Sequence, residues 1–227
     1  MTPWGGAGNT PHMDIIARSV CVIPAAGRGS RMSANGREPF KPLLPWTGKG
    51  GATTLCAQVA ATARAAGCLS IVVTGYRAAE LESALSGMPG LRFQSHPGWE
   101  RGMASSALAG ARAALDLLPD AGGFLVCPAD MPLVPVKAFT AVLDAAGRQE
   151  VSSARTVFPA FGGRFGHPVW IPYGFIPLLE HRNLSERLKD ALQDLGWTSV
   201  DVDDPGILVD MDTPEEYEIA VRDFPSS

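Results

Sequence analysis

A short apolar run near the start of the chain breaks directly into a glycine-rich loop. Residues 20–23 are apolar and mostly β-branched, which predicts a buried strand, and Pro-Ala-Ala-Gly-Arg-Gly-Ser-Arg follows at 24–31. Gly27 and Gly29 permit positive φ and close approach of a ligand, and successive backbone N–H groups in such a loop form an anion-binding nest. The sequence therefore predicts a phosphate-binding loop after the strand, with a plain glycine-rich turn as the alternative.

Two arginines add positive charge to this loop, and its spacing excludes two common phosphate-binding motifs. Arg28 and Arg31 carry forked donors that suit phosphate. A dinucleotide-binding fingerprint needs a third glycine where Met32 stands. A Walker A loop needs Ser or Thr after Gly-Lys, whereas glycine follows Lys49. The loop therefore disfavours a nicotinamide-dependent dehydrogenase.

Strand-like and helix-like segments alternate along the rest of the chain. Apolar runs predict strands at 69–74, 91–94, 123–127, 151–158, 168–171 and 199–202, and periodic segments predict helices at 53–66, 78–85, 103–118, 136–146, 184–195 and 213–222. This order predicts an α/β fold in which a mainly parallel sheet lies between helices and binds ligands at the carboxyl ends of its strands. We expect a disordered leader at 1–18 and a single domain at 19–227.

Composition limits the classes of function. A formal net charge of −4 gives no overall positive field for nucleic acid, and no apolar run approaches membrane-spanning length. The four cysteines have the spacing of neither a metal site nor a redox pair, which is typical of buried thiols in a reducing compartment. We therefore expect a cytoplasmic protein that acts on small molecules and binds neither nucleic acid nor membrane.

Two acidic motifs follow predicted strands. Asp130 ends the run Leu-Val-Cys-Pro-Ala-Asp, where a carboxylate suits a divalent cation that bridges phosphate oxygens. Asp210 and Asp212 precede a helix that begins Thr-Pro-Glu-Glu, and they share one face if the segment is extended. The alternatives are a turn or cap role for Asp130 and a helix-capping role for Asp212.

Two further segments have the composition of ligand-binding loops. Gly102, Ser105 and Ser106 open a predicted helix, whose N-terminus suits a base or a phosphate. Arg164 and His167 lie in a glycine-rich stretch and could hold an anionic or heterocyclic acceptor, although a loop histidine is often only solvated.

In this order, the motifs resemble those of the molybdenum-cofactor nucleotidyltransferases. The resemblance covers most of the chain, from about Ser19 to Phe224, and rests on Ala-Ala-Gly-Arg-Gly-Ser-Arg-Met at 25–32, Phe-Lys-Pro-Leu-Leu at 40–44, and the segments at 98–106, 128–132, 166–169 and 210–215. It implies a Rossmann-like nucleotidyltransferase fold with three α/β/α layers and a mainly parallel mixed sheet. It also implies transfer of a nucleoside monophosphate to the phosphate of a molybdopterin-like acceptor, with release of pyrophosphate.

The same resemblance implies a role for each motif. Asp130 and Asp212 would hold Mg²⁺, and Lys41 and Arg31 would stabilise charge on the phosphates. His167 and Arg164 would face the acceptor. A molybdoenzyme or its chaperone would be a further partner. The nucleotide, CTP or GTP, would contact Ala25, Ala26, Gly27, Gly29, Ser30, Arg31, Lys41, Thr74, Gly75, Gly102, Ser105, Ser106 and Asp130.

Two positions bear on the substrates. Ala26 stands where guanylyl members more often carry glycine, and its methyl group would narrow the space beside the base, which favours CTP. The family's usual Gly-Asp-x-Gly-Ala-Arg stretch is absent, and residues 181–186 stand in its place. This leaves a sugar phosphate or alditol phosphate open as the acceptor. A non-catalytic nucleotide-binding maturation factor also stays open, although retention of both acidic residues argues against it.

Overall fold

An eight-stranded, mainly parallel sheet organises the described part of the chain, residues 19–32, 39–47, 53–182 and 188–224 of a computed structural model. The strands of this sheet are β1 (Val20–Pro24), β4 (Leu69–Thr74), β5 (Leu91–Ser95), β6 (Gly123–Val126), β7 (Thr156–Phe161), β8 (Arg164–Phe165), β9 (Val169–Pro172) and β10 (Trp197–Asp201). Two short strands outside it, β2 (Pro45–Trp46) and β3 (Thr53–Thr54), pair with each other. Their order across the sheet is β10-β7-β9-β6-β1-β4-β5, with β8 paired to β7.

Helices cover both faces of this sheet. Within the described ranges they are α1 (Leu55–Ala65), α2 (Ala78–Leu85), α3 (Met103–Leu117), α4 (Val136–Gly147), α5 (Ile176–Glu180), α6 (Leu188–Leu195) and α7 (Pro214–Asp223). Side chains alternate along the strands, so Cys21 and Ile23 pack in one core cluster with α1, α2 and α4. Val20 and Val22 pack in the other with α3, α5 and α6. The predicted α/β/α layering is confirmed.

One strand inside the sheet, β9, runs against both of its neighbours. β9 pairs antiparallel with β6 on one side and with β7 on the other, whereas the pairs β1–β4, β1–β6, β4–β5 and β7–β10 are parallel. The residues just before β9 therefore lie at the edge of the sheet where β6 and β7 end.

Local sequence signals explain where several helices begin. Thr213 accepts from the N–H of Glu216, and the Glu216 side chain accepts from the Thr213 N–H, so α7 opens with a complete capping box. The Oγ1 of Thr54 accepts from the N–H of Ala57, so Thr54 is the N-cap and α1 begins at Leu55, two residues after the predicted start at 53. No helix of the described residues is long and apolar enough to cross a membrane.

Some predicted elements differ from those observed. The strand predicted at 151–158 is wrong in its first half, where a short 3-10 turn, Val151–Ser153, precedes β7. Val151 is 85% exposed, and the Gln149 side chain bonds the backbone of Arg155, so this segment makes a turn and not a ladder. The short elements β2, β3, β8 and α5 were not predicted. The expected leader at 1–18 and the start of the helix predicted at 184–195 lie outside the described residues.

Candidate active site

The loops after β1 and β6 enclose a cavity of about 210 Å³, which we call the loop cavity. Parallel strands end at the same edge of a sheet, so these loops meet there. The predicted site residues that line it are Ala25, Ala26, Gly27, Gly29, Arg31, Lys41, Gly102, Ser106 and Asp130. Most of the residues that the sequence predicts to contact the nucleotide therefore lie together around this cavity.

Backbone conformation in the first loop leaves room inside this cavity. A Cβ added at Gly27 would meet no atom within 4 Å, so this position presents bare backbone to the cavity. Gly29 has φ +67°, and a Cβ there would lie 3.1 Å from the Lys41 Cβ. Ala26 also lines the cavity, but it is only 1% exposed and packs in the core cluster with Val22 and Val73.

An ionic cluster lies beneath the loop and joins three distant segments. The Lys41 ammonium donates to Asp130 and, at 2.7 Å, to the Oδ1 of Asp212. The Arg31 guanidinium lies 2.5 Å from the Oδ2 of Asp212. The Lys41 side chain is 10% exposed, and burial alone would lower its pKa, but the two carboxylates outweigh burial and raise the pKa. Lys41 is therefore held as the cation.

The same carboxylates fit the predicted divalent cation. The Oδ1 of Asp130 is buried and lacks a hydrogen-bond partner among the described residues. Burial, and then the charges of Asp212 and Asp130, raise the pKa of Asp210. Carboxylate oxygens with a free acceptor suit Mg²⁺, which commonly takes one or two protein carboxylates and completes its shell with phosphate oxygens and water. The described residues hold no group of three or more His, Cys, Asp or Glu side chains arranged as a metal site, so the chain offers a partial shell of this kind.

A larger cavity of about 590 Å³, which we call the side cavity, adjoins this cluster. Arg31, Gly102, Met103 and Asp212 line it, and the first three also line the loop cavity. A third cavity of about 230 Å³ shares Asp130 with the loop cavity and Asp212 with the side cavity. It therefore lies between the other two. The two carboxylates therefore stand where the loop cavity and the side cavity meet.

The predicted acceptor residues both line the third cavity. His167 lines the side cavity as well, and its Nδ1 lies 3.2 Å from the carbonyl oxygen of Val126. Burial lowers the pKa of His167, so the neutral ring donates from Nδ1 and leaves Nε2 as an acceptor. Arg164 is exposed on β8 and lines only the third cavity among the three.

Four predicted nucleotide contacts do not line the loop cavity. Thr74 is fully buried and donates to Glu82 at 2.7 Å, and Gly75 lies against the Trp99 side chain. The Oγ of Ser105 donates to the carbonyl of Gly102 at 2.9 Å, so it supports the loop from within. The fourth, Ser30, is exposed in a short turn outside the cavity. The hydroxyl groups of Thr74 and Ser105 are thus each engaged in a hydrogen bond within the fold, and Gly75 has no side chain to offer.

The structure adds cavity residues that sequence reasoning missed. Trp99 and Met103 line the loop cavity, and Met103 is 53% exposed and lines the side cavity as well. Arg101 and Lys189 give the side cavity positive charge, and the Lys189 ammonium lies 5.5 Å above the Phe165 ring. Trp99, Arg101 and Met103 lie in the segment 98–106, whose composition had already indicated a ligand-binding loop. Nothing in the sequence distinguishes Lys189 from a solvated helix lysine.

Comparison with known proteins agrees with this geometry. The chain is 24% identical over 204 residues to the molybdenum cofactor cytidylyltransferase of Escherichia coli K12, covering 87% of this chain and 92% of that protein. A nucleotidyl transferase from Methanothermobacter thermautotroptrophicus is 28% identical and superposes with a TM-score of 0.71, covering 90% of this chain and 96% of its own. A protein from Mycobacterium sp. strain JC1 is 25% identical with a TM-score of 0.71, covering 92% and 97%.

A family model gives the strongest statement. The model of the MobA-like NTP transferase domain matches residues 21–200, which contain most of β1, the glycine-rich loop, Lys41, Asp130 and all other residues that line the loop cavity. The match extends over well more than half of the chain. The chain therefore belongs to the MobA-like NTP transferase family and is a nucleotidyltransferase of Rossmann-like fold.

Proposed function

We propose that the protein transfers CMP from CTP to the phosphate of a molybdopterin-like acceptor and releases pyrophosphate. The observation that carries the proposal is the position of the Lys41–Asp130–Asp212 cluster at the junction of two cavities. A reaction between two phosphates needs both of them beside the same charge-stabilising groups, and this junction supplies such a place.

The loop cavity fits the triphosphate end of a nucleotide. Backbone at Gly27 and Gly29 is open to a close ligand, and Arg31 supplies a forked donor at the rim. Pro24, Ala25 and Pro42 add apolar surface to the same lining. Such a lining suits a base and ribose better than further charge.

The side cavity fits the acceptor. It is nearly three times as large as the loop cavity, and it combines the aromatic walls Phe158 and Phe165 with the cations Arg101 and Lys189. A flat heterocycle with a phosphate matches this combination, because ring stacking and charge pairing are both available. His167 offers an acceptor nitrogen on the same wall.

The chain's own residues would act mainly by position and charge. An oxygen of the acceptor phosphate forms a bond to the α-phosphorus of CTP while the bond from that phosphorus to the bridging oxygen breaks, and pyrophosphate carries that electron pair away. Arg31 and the Lys41 ammonium would offset negative charge on the reacting phosphates. Asp130 and Asp212 would hold Mg²⁺, which supplies charge neutralisation of phosphate oxygens when bound. Lys41 now pairs with both carboxylates, so it must give up part of that pairing when substrate enters.

Support for CTP comes from the Ala-Ala-Gly sequence of the loop and from the cytidylyltransferase name of the E. coli relative. We place the protein in the cytoplasm in this proposal, with a molybdoenzyme or its chaperone as the recipient of the product and with no role for nucleic acid.

The test is pyrophosphate release with Mg²⁺, CTP or GTP, and purified molybdopterin cofactor. The proposal expects release with CTP that depends on the acceptor and exceeds release with GTP. Preference for GTP would overturn the assignment of the base, and release with an alditol phosphate alone would overturn that of the acceptor. Nucleotide binding without any turnover would indicate the maturation-factor alternative.

A further inference from the structure

Trp99 is the one aromatic side chain among the described residues that line the loop cavity. It lies in a short 3-10 turn, Trp99–Arg101, between β5 and α3, and it is half-buried. Small or apolar residues, among them Ala26, Gly102 and Pro24, line the same cavity. An indole beside an open cavity with such walls presents a flat, polarisable surface to a ligand.

The indole is supported from behind. A Cβ added at Gly75 would come within 2.7 Å of the Cδ1 and Cγ of Trp99, so the ring packs directly on the backbone of that glycine. The Tyr76 ring lies 5.8 Å from it, centroid to centroid, and tilts by 54°. Phe40 in turn lies 6.1 Å from Tyr76 in an edge-on contact. This row fixes the orientation of the indole before any ligand arrives, which reduces the entropy lost on binding.

We propose that the indole of Trp99 is the platform on which the nucleobase of the substrate stacks. The inference rests on the proposed function, because it takes the loop cavity to be the nucleotide site. Base–aromatic stacking tolerates any base, since every base has a π-face. Trp99 therefore contributes affinity for the base as such, and the choice between CTP and GTP is left to other contacts.

A ligand that lacks a base shows whether a Trp99 variant weakens CTP binding by loss of stacking or by disturbing the loop. Inorganic tripolyphosphate carries the phosphates of CTP but offers nothing to stack. Calorimetry with the whole protein and Mg²⁺ would measure the Kd of CTP and of tripolyphosphate for the wild type, for Trp99→Leu and for Trp99→Phe. Trp197→Leu is a control for the loss of an accessible indole, because Trp197 is 39% exposed but lies on β10, outside the loop cavity.

The expected result is selective for the base. Trp99→Leu raises the Kd of CTP by about 5- to 100-fold, in line with loss of one base–aromatic stack, and leaves the Kd of tripolyphosphate unchanged. Trp99→Phe retains most of the CTP affinity, and Trp197→Leu binds both ligands as the wild type does. CTP also quenches the wild-type tryptophan emission, and this quench is lost in Trp99→Phe.

Three outcomes would overturn the inference. Equal weakening of CTP and tripolyphosphate in Trp99→Leu would assign the indole a purely structural role in the loop. Unchanged CTP affinity in Trp99→Leu would exclude base stacking on the indole, while the loop cavity would remain the proposed nucleotide site. Wild-type protein that binds neither ligand would instead overturn the proposed function, and the stacking inference with it.

Discussion

The Nζ of Lys41 lies 2.7 Å from the Oδ1 of Asp212, a residue 171 positions later in the chain. The same ammonium donates to Asp130, so one lysine ties together the segment after the glycine-rich loop, the end of β6 and the start of α7. Without substrate, the two cations Lys41 and Arg31 offset the charges of the two carboxylates predicted to hold a metal ion. Charge at the centre is thus balanced in the free protein.

Asp130→Asn removes one of these charges while keeping the shape of the side chain. We expect turnover to be lost almost completely, because Mg²⁺ loses an anionic ligand. Unfolding temperature should change little, since Lys41 retains Asp212 as a partner. Pyrophosphate release and thermal unfolding measure the two effects. Asp116→Asn, an exposed change on α3, is the control. Activity near the wild-type level at saturating Mg²⁺ would exclude Asp130 from the reaction.

The two loop arginines should differ in importance. The Arg31 guanidinium contacts Asp212 and lines all three cavities, whereas the Arg28 guanidinium lies 5.6 Å above the Tyr76 ring. We expect Arg31→Ala to lower kcat/KM by about 10²-fold or more, the scale of losing one preorganised donor, and Arg28→Ala to cost less. Parallel kinetics of both variants check the order. Equal losses would contradict it.

A methyl group at Gly27 should block the nucleotide without disturbing the fold. Its Cβ would meet no protein atom within 4 Å, and the position lines the loop cavity. We expect Gly27→Ala to weaken CTP binding by about 1–3 kcal/mol through overpacking. Gly87→Ala is matched, because a Cβ there also meets nothing within 4 Å but the residue lies outside the cavity. Binding titrations should separate the two variants, and similar CTP affinity in both would place the phosphates elsewhere.

His96 should make stability depend on pH. Burial, and then the charge of Arg101, lowers the pKa of His96, whose Nε2 lies 3.0 Å from the Oγ of Ser105. The folded protein therefore takes up the proton less readily than the unfolded chain, whose histidine titrates near 6.5, and stability falls as pH drops below that value.

Replacing this histidine should flatten that dependence. We expect the unfolding free energy of His96→Gln to lose less than that of the wild type between pH 7 and pH 5. The pH dependence of the unfolding free energy should differ between the two proteins by no more than about 1.4 kcal/mol per pH unit, the value for uptake of one proton on unfolding. Denaturant unfolding at several pH values measures it, and His167 titrates in both proteins and so cancels. If the unfolding free energies of the wild type and His96→Gln fall equally as pH drops, His96 does not take up its proton on unfolding.

Much of the site follows from sequence because strand order fixes which loops meet. A glycine-rich loop after one parallel strand and an acidic residue after another must lie at the same edge, and Gly27, Arg31 and Asp130 do so. The layers follow equally from β1, whose buried side chains alternate between the core clusters on the two faces of the sheet. These features depend on periodicity and chain order, which a sequence displays directly.

Side-chain direction at that edge depends on contacts between distant segments. Thr74 ends β4 next to the site, yet its hydroxyl donates to Glu82 on α2 and the side chain is fully buried. Trp99 reaches the cavity because Gly75, in another segment, has no side chain to displace it. Neither arrangement has a periodic signal, so only the folded chain distinguishes them.

The reversed strand β9 divides the site into two parts with separate origins. Loops that follow β1 and β6 build the side that meets the loop cavity, whereas His167 and Gly166 precede β9 and reach the same edge because that strand runs the other way. The chain can thus lengthen or recompose the segments around β8 and β9 without altering the glycine-rich loop after β1. A family with this topology can exchange one reactant for another in evolution while the nucleotide chemistry stays constant.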